Sequence, residues 1–449
     1  MHAALDLLMP HLRRWHSLTI LTDTCSPMHA ALHRLSDPNA STLEGAPILE
    51  SIVLKRCNEY IGSSTDFLPR ELKSTPDVPF AALLNRMGGD YLPQLRKLRL
   101  HGVHLNWTNL PPLLPITNGG LRSLELSEHP YEVRPSLLDF RRILASCPAL
   151  YKLVVSVSGP IWDQDDSMDG TSSHSDESSP IALPHLKELK LGYTDAEDAR
   201  QVLKNLEAPN VKSLTIADTT SATFSQSEDV GSLLVACGTN AWGGDVTTTT
   251  TTVSVPTGEE TPANKTSSSR FPRLEEVTLD RVEACSVTPF RTFFNALPTL
   301  NRLTLQHTSM HAMQALIPLT AEPSAPTPTP HQTQCPCPKL QSVHILGASF
   351  DLNLINTTRT SRITHGAYAF DPEITLDHCK TDDVVHMGFE GMDVRIKSGD
   401  VYQAGGIDFE DSAMDLDLGG MIATKEESDP FVFCGAFNDS YYGPLISQL

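Results

Sequence analysis

The sequence predicts an α/β fold in which short parallel strands and helices repeat along the chain, and three observations predict it. One line of six residues recurs ten times, with hydrophobes at its first, fourth and sixth positions. Most copies start two residues after a proline, and runs with the helical spacing of apolar residues lie between several copies. Such recurrence is the signature of a stacked repeat protein. The copies are Trp15–Ile20, Leu49–Leu54, Leu95–Leu100, Leu121–Leu126, Leu150–Val155, Leu186–Leu191, Val211–Ile216, Leu274–Leu279, Leu300–Leu305 and Leu340–Ile345.

Each line predicts a strand that buries one side. The second and third hydrophobes stand two residues apart, so on an extended chain they point the same way. A strand this short cannot bury that side alone, and stacked neighbours supply the missing partner. The steps from Leu95 to Leu121 and from Leu121 to Leu150 match the period of leucine-rich repeats. We therefore predict a leucine-rich-repeat solenoid (horseshoe) with irregular repeats. The alternative is a set of ordinary amphipathic strands in a mixed sheet.

Helices are predicted between the strand lines, where an α/β solenoid requires them. The range Ser136–Cys147 has apolar residues at helical spacing and begins with a serine that can cap the helix. Ala196–Leu206 shows the same pattern after Asp195, and Thr288–Leu297 carries Pro289 in its first turn. We expect these helices to form the convex packing layer on the back of the sheet.

Composition shifts predict the domain organisation. Residues 1–348 are predicted to form the solenoid, with disordered insertions at about 160–180, 219–269 and 321–338 because these stretches hold little to bury. Within the second insertion, Gly231–Cys237 fits a short helix. Residues 349–449 are predicted to be an acidic C-terminal region with a disordered tail, in which strands at Thr375–Met387 and Gly391–Ile396 cap the solenoid.

Charge and cysteine content limit the classes of partner and compartment. The formal net charge is −20 and the pI is about 5.2, which argues against nucleic acid as the main partner. Nine cysteines without regular spacing, and no signal-peptide pattern, favour a reducing compartment. No stretch reaches the roughly 18 apolar residues that a membrane span needs. We predict a cytoplasmic or nuclear protein that binds no membrane.

Motifs that carry chemistry are missing from the sequence. It contains no phosphate-binding loop, dinucleotide fingerprint, zinc-protease helix or nucleophile elbow. Cys335 and Cys337 with His331 nearby lack the spacing of a zinc finger, and no second cysteine pair follows. We therefore predict no catalytic, cofactor-binding or metal-binding residues and no enzymatic activity.

The variable residues of the strand lines are the predicted contact surface. They point away from the core and align across repeats, and the basic residues among them fit an acidic segment of a protein partner. Simple solvation of a concave sheet is the alternative. His101 and His104, which flank the third line, are expected to be exposed polar residues of this face. The candidate partner-binding residues are Lys97, Arg99, His101, Lys152, Lys190 and Arg302.

The chain resembles the fungal (basidiomycete-type) F-box and leucine-rich-repeat proteins. The resemblance is carried by Leu8–Ile20, Pro27–Leu32, Ala46–Glu50 and the many Leu-Pro-x-Leu and Cys-Pro-x-Leu segments. It covers about residues 5–346, and its motifs are structural. It implies a substrate receptor of a cullin–RING ubiquitin ligase, in which an N-terminal three-helix F-box binds the ligase adaptor and the repeats hold the substrate.

The sequence departs from this plan at its start, because no F-box precedes Leu8. The first hypothesis is therefore a non-enzymatic protein–protein interaction solenoid that resembles the substrate-binding repeats alone. The second is a complete receptor whose start has been misassigned, and adaptor binding depends on it. An enzyme or a metal-binding module is the hypothesis from another class.

Overall fold

A computed structural model of the chain describes residues 1–40, 45–57, 66–84, 92–115, 119–162, 179–220, 229–239, 269–318, 335–347, 349–350, 352–364, 373–377, 380–381, 395–397 and 432–434. The main strands are β1 (Ser17–Thr22), β2 (Ser51–Arg56), β3 (Lys97–His101), β4 (Ser123–Ser127), β5 (Lys152–Ser156), β6 (Glu188–Tyr193), β7 (Ser213–Asp218), β8 (Glu276–Asp280), β9 (Arg302–Gln306), β10 (Ser342–Leu346) and β11 (Glu373–Asp377). The α-helices are α1 (His2–Leu8), α2 (Cys25–Leu35), α3 (Leu137–Ala145), α4 (Ala196–Lys204), α5 (Gly231–Gly238), α6 (Val287–Asn295), α7 (His311–Ala315) and α8 (Leu352–Thr364). Short 3-10 helices lie at Met9–Arg14, Pro38–Ala40, Arg70–Leu72, Ala81–Leu83, Trp107–Asn109, Pro111–Leu113 and Tyr131–Val133.

The eleven strands form one long parallel sheet whose strand order follows the chain. Neighbours pair without offset, so Leu98 of β3 lies opposite Ile52 of β2 and Leu124 of β4. The segments Arg395–Lys397 and Val432–Cys434 pair in parallel with β11 and β1, at the two ends of this sheet. Each of the ten predicted lines is confirmed as a strand that begins at the third residue of the line.

The hydrophobes of the strand lines form the core between the sheet and the helices. Because pairing has no offset, equivalent hydrophobes lie side by side and each is covered by its neighbours in adjacent strands. Burial of one such side chain contributes about 1.5–3 kcal/mol. One fully covered row reads Ile52, Leu98, Leu124, Leu153, Leu189, Leu214, Val277, Leu303 and Val343, all at most 2% exposed.

The predicted helices are confirmed, together with the two caps that the sequence assigned. Ser136 Oγ accepts a hydrogen bond of 3.1 Å from the Asp139 backbone N–H at the start of α3. Asp195 accepts one of 2.7 Å from the Glu197 N–H at the start of α4. The apolar faces of both helices are buried against the sheet side of the molecule.

The repeat stack runs beyond residue 348, where the sequence predicted its end. Helix α8 and strand β11 add one further helix and strand, and β11 pairs with β10 in the common register. Arg362 of α8 is 1% exposed and donates to the carbonyl oxygens of Leu316, Pro336 and Cys337. These bonds join the last helix to the preceding repeat.

Parts of the predicted insertions lie outside the described residues, namely 163–178, 221–228, 240–268 and 319–334. Within the second insertion, the short helix predicted at Gly231–Cys237 is present as α5, and Leu233 and Leu234 are fully buried. The prediction of disorder does not hold for this stretch, because α5 packs between α4 and α6.

A left-handed residue directly follows six of the strands. At Gly102, for example, φ is +62° and the N–H donates to the Ser127 carbonyl of the next strand at 2.7 Å. The hydrogen-bond ladder therefore continues one residue past the strand. Glycine adopts this conformation freely, whereas other residues lose about 1–2 kcal/mol. The six residues are Gly102, Glu128, Val157, Arg281, His307 and Gly347.

Candidate functional site

The side of the sheet opposite the core is the candidate functional site, and we call it the outer face. Its residues alternate with the core residues along each strand, as the burial patterns of β3 and β8 show. Since the strands pair in register, equivalent outer residues form rows across the sheet. The middle row reads Thr19, Val53, Arg99, Glu125, Val154, Lys190, Thr215, Thr278, Thr304, His344 and Thr375.

The six predicted contact residues all occupy strand positions that alternate with the core. They extend from β3 to β9, which is about 30 Å across the sheet at the usual strand spacing. The structure therefore brings them to one face without gathering them into a compact site. Three are on β3 (Lys97, Arg99, His101) and one each is on β5 (Lys152), β6 (Lys190) and β9 (Arg302).

Three of these bases form ion pairs with a carboxylate on an adjacent strand. Arg99 Nε lies 3.0 Å from Glu125 Oε2, and Lys152 Nζ lies 3.1 Å from Glu188 Oε2. Arg302 Nη1 lies 2.7 Å from Glu276 Oε1. Exposed pairs of this kind stabilise the fold by at most about 1 kcal/mol. The pairs have a larger effect on how the site can bind a partner. A basic cluster at Lys97 and Arg99 requires two unpaired cations, and Arg99 is paired with Glu125.

Lys190 differs from those three bases. Its side chain is exposed at the centre of the sheet, between Val154 and Thr215 of the neighbouring strands. Within the described part of the chain, no carboxylate pairs with it. Of the predicted residues, Lys190 is therefore the cation most available to a partner.

The charges of the outer face separate into two poles. Strands β1 to β4 carry three bases (Lys55, Lys97, Arg99) and one acid, which we call the basic pole. Among the side chains that the structure describes, strands β8 to β11 present three acids and one base, which we call the acidic pole; the acids are Glu276, Asp280 and Glu373. A face with opposite poles favours one orientation of a bound partner.

The two histidines expected to be exposed are instead partly buried. Burial, followed by repulsion from Lys55 and Arg56, lowers the pKa of His101 to about 4. Burial is also the largest cause that lowers the pKa of His104 to about 4. The His104 ring packs against Phe67, with 5.4 Å between ring centres. Both rings are therefore neutral at pH 7 and add no charge to the outer face.

A loop that the sequence did not predict passes beside these histidines. It comprises Asp66–Ser74, and we call it the strap. The Phe67 N–H donates to Glu132 Oε2 at 3.0 Å, and Lys73 Nζ forms an ion pair with the same carboxylate. The strap is thereby joined to the 3-10 helix that follows β4.

A small open cavity of about 20 Å³ lies between the strap, helix α2 and the end of β3. Its walls are mostly apolar, and its volume is that of about one water molecule. Arg56 lies directly behind it, 1% exposed, with Nη1 donating to Cys25 Sγ. The cavity is lined by Cys25, Met28, His29, Leu32, Phe67, Leu72, Gly102 and His104.

The two cysteines considered for metal binding differ in burial, since Cys337 is buried and Cys335 is half-buried. Cys337 is fully buried and its thiol donates to the Phe294 carbonyl at 3.3 Å, while burial raises the pKa of that thiol. His331 lies outside the described residues. Among the residues that the structure describes, no three or more His, Cys, Asp or Glu side chains converge as metal ligands.

None of the described helices is long and apolar enough to cross a bilayer.

Comparisons with known proteins give only distant structural likenesses. No family model matches the chain, and no curated protein matches it. Among solved structures, a chain from the crystal structure of a TLR13–ssRNA13 complex is similar at 12% sequence identity and a TM-score of 0.26. The match covers 75% of this chain and 47% of that chain, so this chain spans about half the length of its neighbour. A likeness at this level carries no information about function.

Proposed function

We propose that the chain is a non-enzymatic protein–protein interaction scaffold. In this proposal the sheet curves into a leucine-rich-repeat horseshoe, and the outer face is the concave surface that holds a protein partner. The observation that carries the proposal is the register of the sheet, in which eleven strands align equivalent outer residues, most of them polar, into continuous rows. Stacked repeats use such extended surfaces to bind other macromolecules.

The two poles define the kind of partner that fits. A protein segment with carboxylates near one end and basic residues near the other complements the basic and acidic poles. Electrostatic matching of this kind raises association rates and weakens as salt increases. A nucleic acid would meet repulsion between its phosphates and the acidic pole, so a protein partner is favoured.

The resemblance to F-box and leucine-rich-repeat proteins supports a more specific proposal. The chain would correspond to repeats that hold the substrate of a cullin–RING ubiquitin ligase in the cytoplasm or nucleus. Leu8–Ile20, which carries part of the resemblance, spans the end of α1 and most of β1. Whether the ligase adaptor also binds depends on an F-box, so this part of the proposal has its own test.

Charge reversal on the outer face tests the scaffold proposal. In crosslinking and affinity purification, we expect the double variant Lys97→Glu and Lys190→Glu to recover at least tenfold less partner than the wild type. The control is Lys204→Glu, one charge reversal at an exposed position of α4 in the helical layer, which is compared with Lys97→Glu and Lys190→Glu taken singly. Circular dichroism should show that all of these variants keep the wild-type fold.

Two outcomes would count against the proposal. Equal recovery of the same partners by the double variant and the wild type would remove the outer face as the contact surface. Purification of the native-length protein tests the ligase relation separately. Recovery of adaptor and cullin supports a receptor, and their absence restricts the proposal to a scaffold.

A further inference from the structure

Two histidines of helix α2 face each other at the surface. His29 and His33 are four residues apart, so their side chains lie on the same face of the helix. Their Nε2 atoms are 2.9 Å apart, and their ring centres are 4.2 Å apart. This is the spacing at which two histidines of one helix bind a metal ion together.

A third donor atom comes from the strap. The carbonyl oxygen of Ser74 lies 3.1 Å from His29 Nε2, although the two residues are 45 positions apart in the sequence. His33 and Ser74 are exposed and His29 is half-buried, so solvent reaches all three. Two ring nitrogens and one carbonyl oxygen therefore converge at an accessible point between α2 and the strap.

Hydrogen bonding alone does not satisfy this arrangement. If His29 carries its proton on Nε2 and donates it to Ser74, that nitrogen has no lone pair left for His33. If the proton is on Nδ1, His29 Nε2 and the Ser74 carbonyl are two acceptors facing each other. A cation at the centre would satisfy all three atoms at once.

We propose that His29 Nε2, His33 Nε2 and the Ser74 carbonyl oxygen form a site for a divalent transition-metal ion of borderline softness, such as Zn²⁺ or Ni²⁺. Two donors that each lie about 2.1 Å from an ion stand about 3 Å apart when they subtend a right angle, as in six-coordinate Ni²⁺, which matches the separations of 2.9 and 3.1 Å. A tetrahedral Zn²⁺ would separate them to about 3.4 Å, so the two donor pairs would move apart slightly on binding zinc. Imidazole ligands select these ions, whereas Mg²⁺ and Ca²⁺ require oxygen ligands. Water completes the coordination.

The ion would fasten the strap to α2. Ser74 ends the strap, and His29 also lines the cavity that the strap covers. Metal binding therefore reduces the freedom of the strap and stabilises the cavity wall.

Calorimetric titration of the full chain with Zn²⁺ and with Ni²⁺ tests the site. We expect one site in the wild type, at least tenfold weaker binding in His33→Ala, and no binding of Mg²⁺. The matched control is His185→Ala, an exposed histidine outside α2 and the strap, which should bind like the wild type. Hydrogen exchange of residues 66–74 should slow on addition of metal in the wild type and not in His33→Ala.

Two results would overturn the proposal. Equal affinity in His33→Ala and the wild type would assign the binding to other groups, such as the exposed thiols of Cys57 and Cys285. Binding that is lost in His33→Ala but leaves the exchange of the strap unchanged by metal would remove Ser74 from the site.

Discussion

His129 is a fully buried histidine whose burial determines its charge state. Its Nδ1 lies 2.8 Å from Ser158 Oγ, and its Nε2 lies 3.1 Å from the Val103 carbonyl. With its proton on Nε2, a neutral ring donates to the Val103 carbonyl; the Ser158 hydroxyl has one proton, which it can donate either to Nδ1 or to the Ser156 carbonyl at 2.9 Å. Burial, followed by repulsion from His101 and Arg134, lowers the pKa of His129 to about 3. The ring is therefore a structural element of the core and is neutral at pH 7.

Acid should destabilise the protein through this residue. Unfolded, His129 titrates near pH 6.5, so between pH 6.5 and about 3 the unfolded state binds more protons than the folded state. The free energy of unfolding should thus fall as the pH drops from 6.5, by up to about 1.4 kcal/mol per pH unit for one fully buried histidine. Urea unfolding between pH 7.5 and 4.5 measures this slope. In His129→Gln the slope should be smaller, and an unchanged slope would contradict the assignment.

The strap shows how one loop depends on contacts that are distant in the sequence. Glu132, which follows β4 in the sequence, accepts a hydrogen bond from the Phe67 N–H of the strap and forms an ion pair with Lys73. The Phe67 side chain packs with Cys25 and Val133 in a small cluster separate from the main core. The strap is therefore stabilised by the Glu132 carboxylate, by the Phe67 ring and by its hydrogen bonds to α2, and it packs outside the main core.

Removal of that carboxylate should release the strap without unfolding the stack. In Glu132→Ala we expect faster hydrogen exchange over residues 66–74 and faster tryptic cleavage after Arg70 and Lys73. The hydrogen bond from Lys73 lowers the pKa of Glu132, so in the wild type the contact should persist until acid protonates Glu132 below its ordinary range. The control is Glu71→Ala, an exposed residue of the strap itself. If both variants exchange at the same rate, Glu132 does not hold the strap.

At the scale of the whole molecule, the main strands that the structure describes form one stack in which each strand pairs with the strands before and after it in the chain. Leu153 in β5 is fully buried and lies opposite Leu124 and Leu189. A defect at such a position weakens both neighbouring interfaces, because stability is a sum of repeat and interface contributions.

Truncation in the middle of the stack should therefore be costly. We expect Leu153→Ala to lower the free energy of unfolding by about 2–5 kcal/mol, the usual cost of a buried leucine. Tyr151→Ala is the matched control two residues earlier, where the side chain is 48% exposed, and it should change stability by less than about 0.5 kcal/mol. Urea titration monitored by circular dichroism measures both. Equal effects of the two substitutions would contradict the core assignment of the strand line.

The ten strands that carry the repeated line could be predicted from the sequence. Strand β11 lacks part of that line, and its bounds in the structure differ from the predicted ones. In β11 the hydrophobes Ile374 and Leu376 occupy the usual positions, but Asp371 stands where the first hydrophobe belongs. The repeated line is therefore incomplete in this segment. The sequence predicts a capping strand here that starts at Thr375. The structure begins it at Glu373 and pairs it as a further repeat. Helix α8 was not predicted, because its apolar residues do not form a clear stripe.

The candidate site was predicted only in part. The alternation of residues along each strand placed Lys97, Arg99 and Lys190 on one face, and the structure agrees. The pairing of Arg99 with Glu125 depends on which strands are neighbours and on their register. The cavity and the His29–Ser74 contact depend on a strap that returns to α2 from 45 residues away. No local pattern in the sequence records such a return.

The sequence by itself determined the strands, two of the helix caps and the separation of core from outer residues. These follow from periods of two and 3.6 residues and from side chains that bond to their own backbone, and both act over a few positions. The tertiary structure decided which charges cancel, which histidines are neutral and where the strap closes over a cavity. These properties depend on burial and on distances between side chains of different repeats, which arise only when the stack has formed.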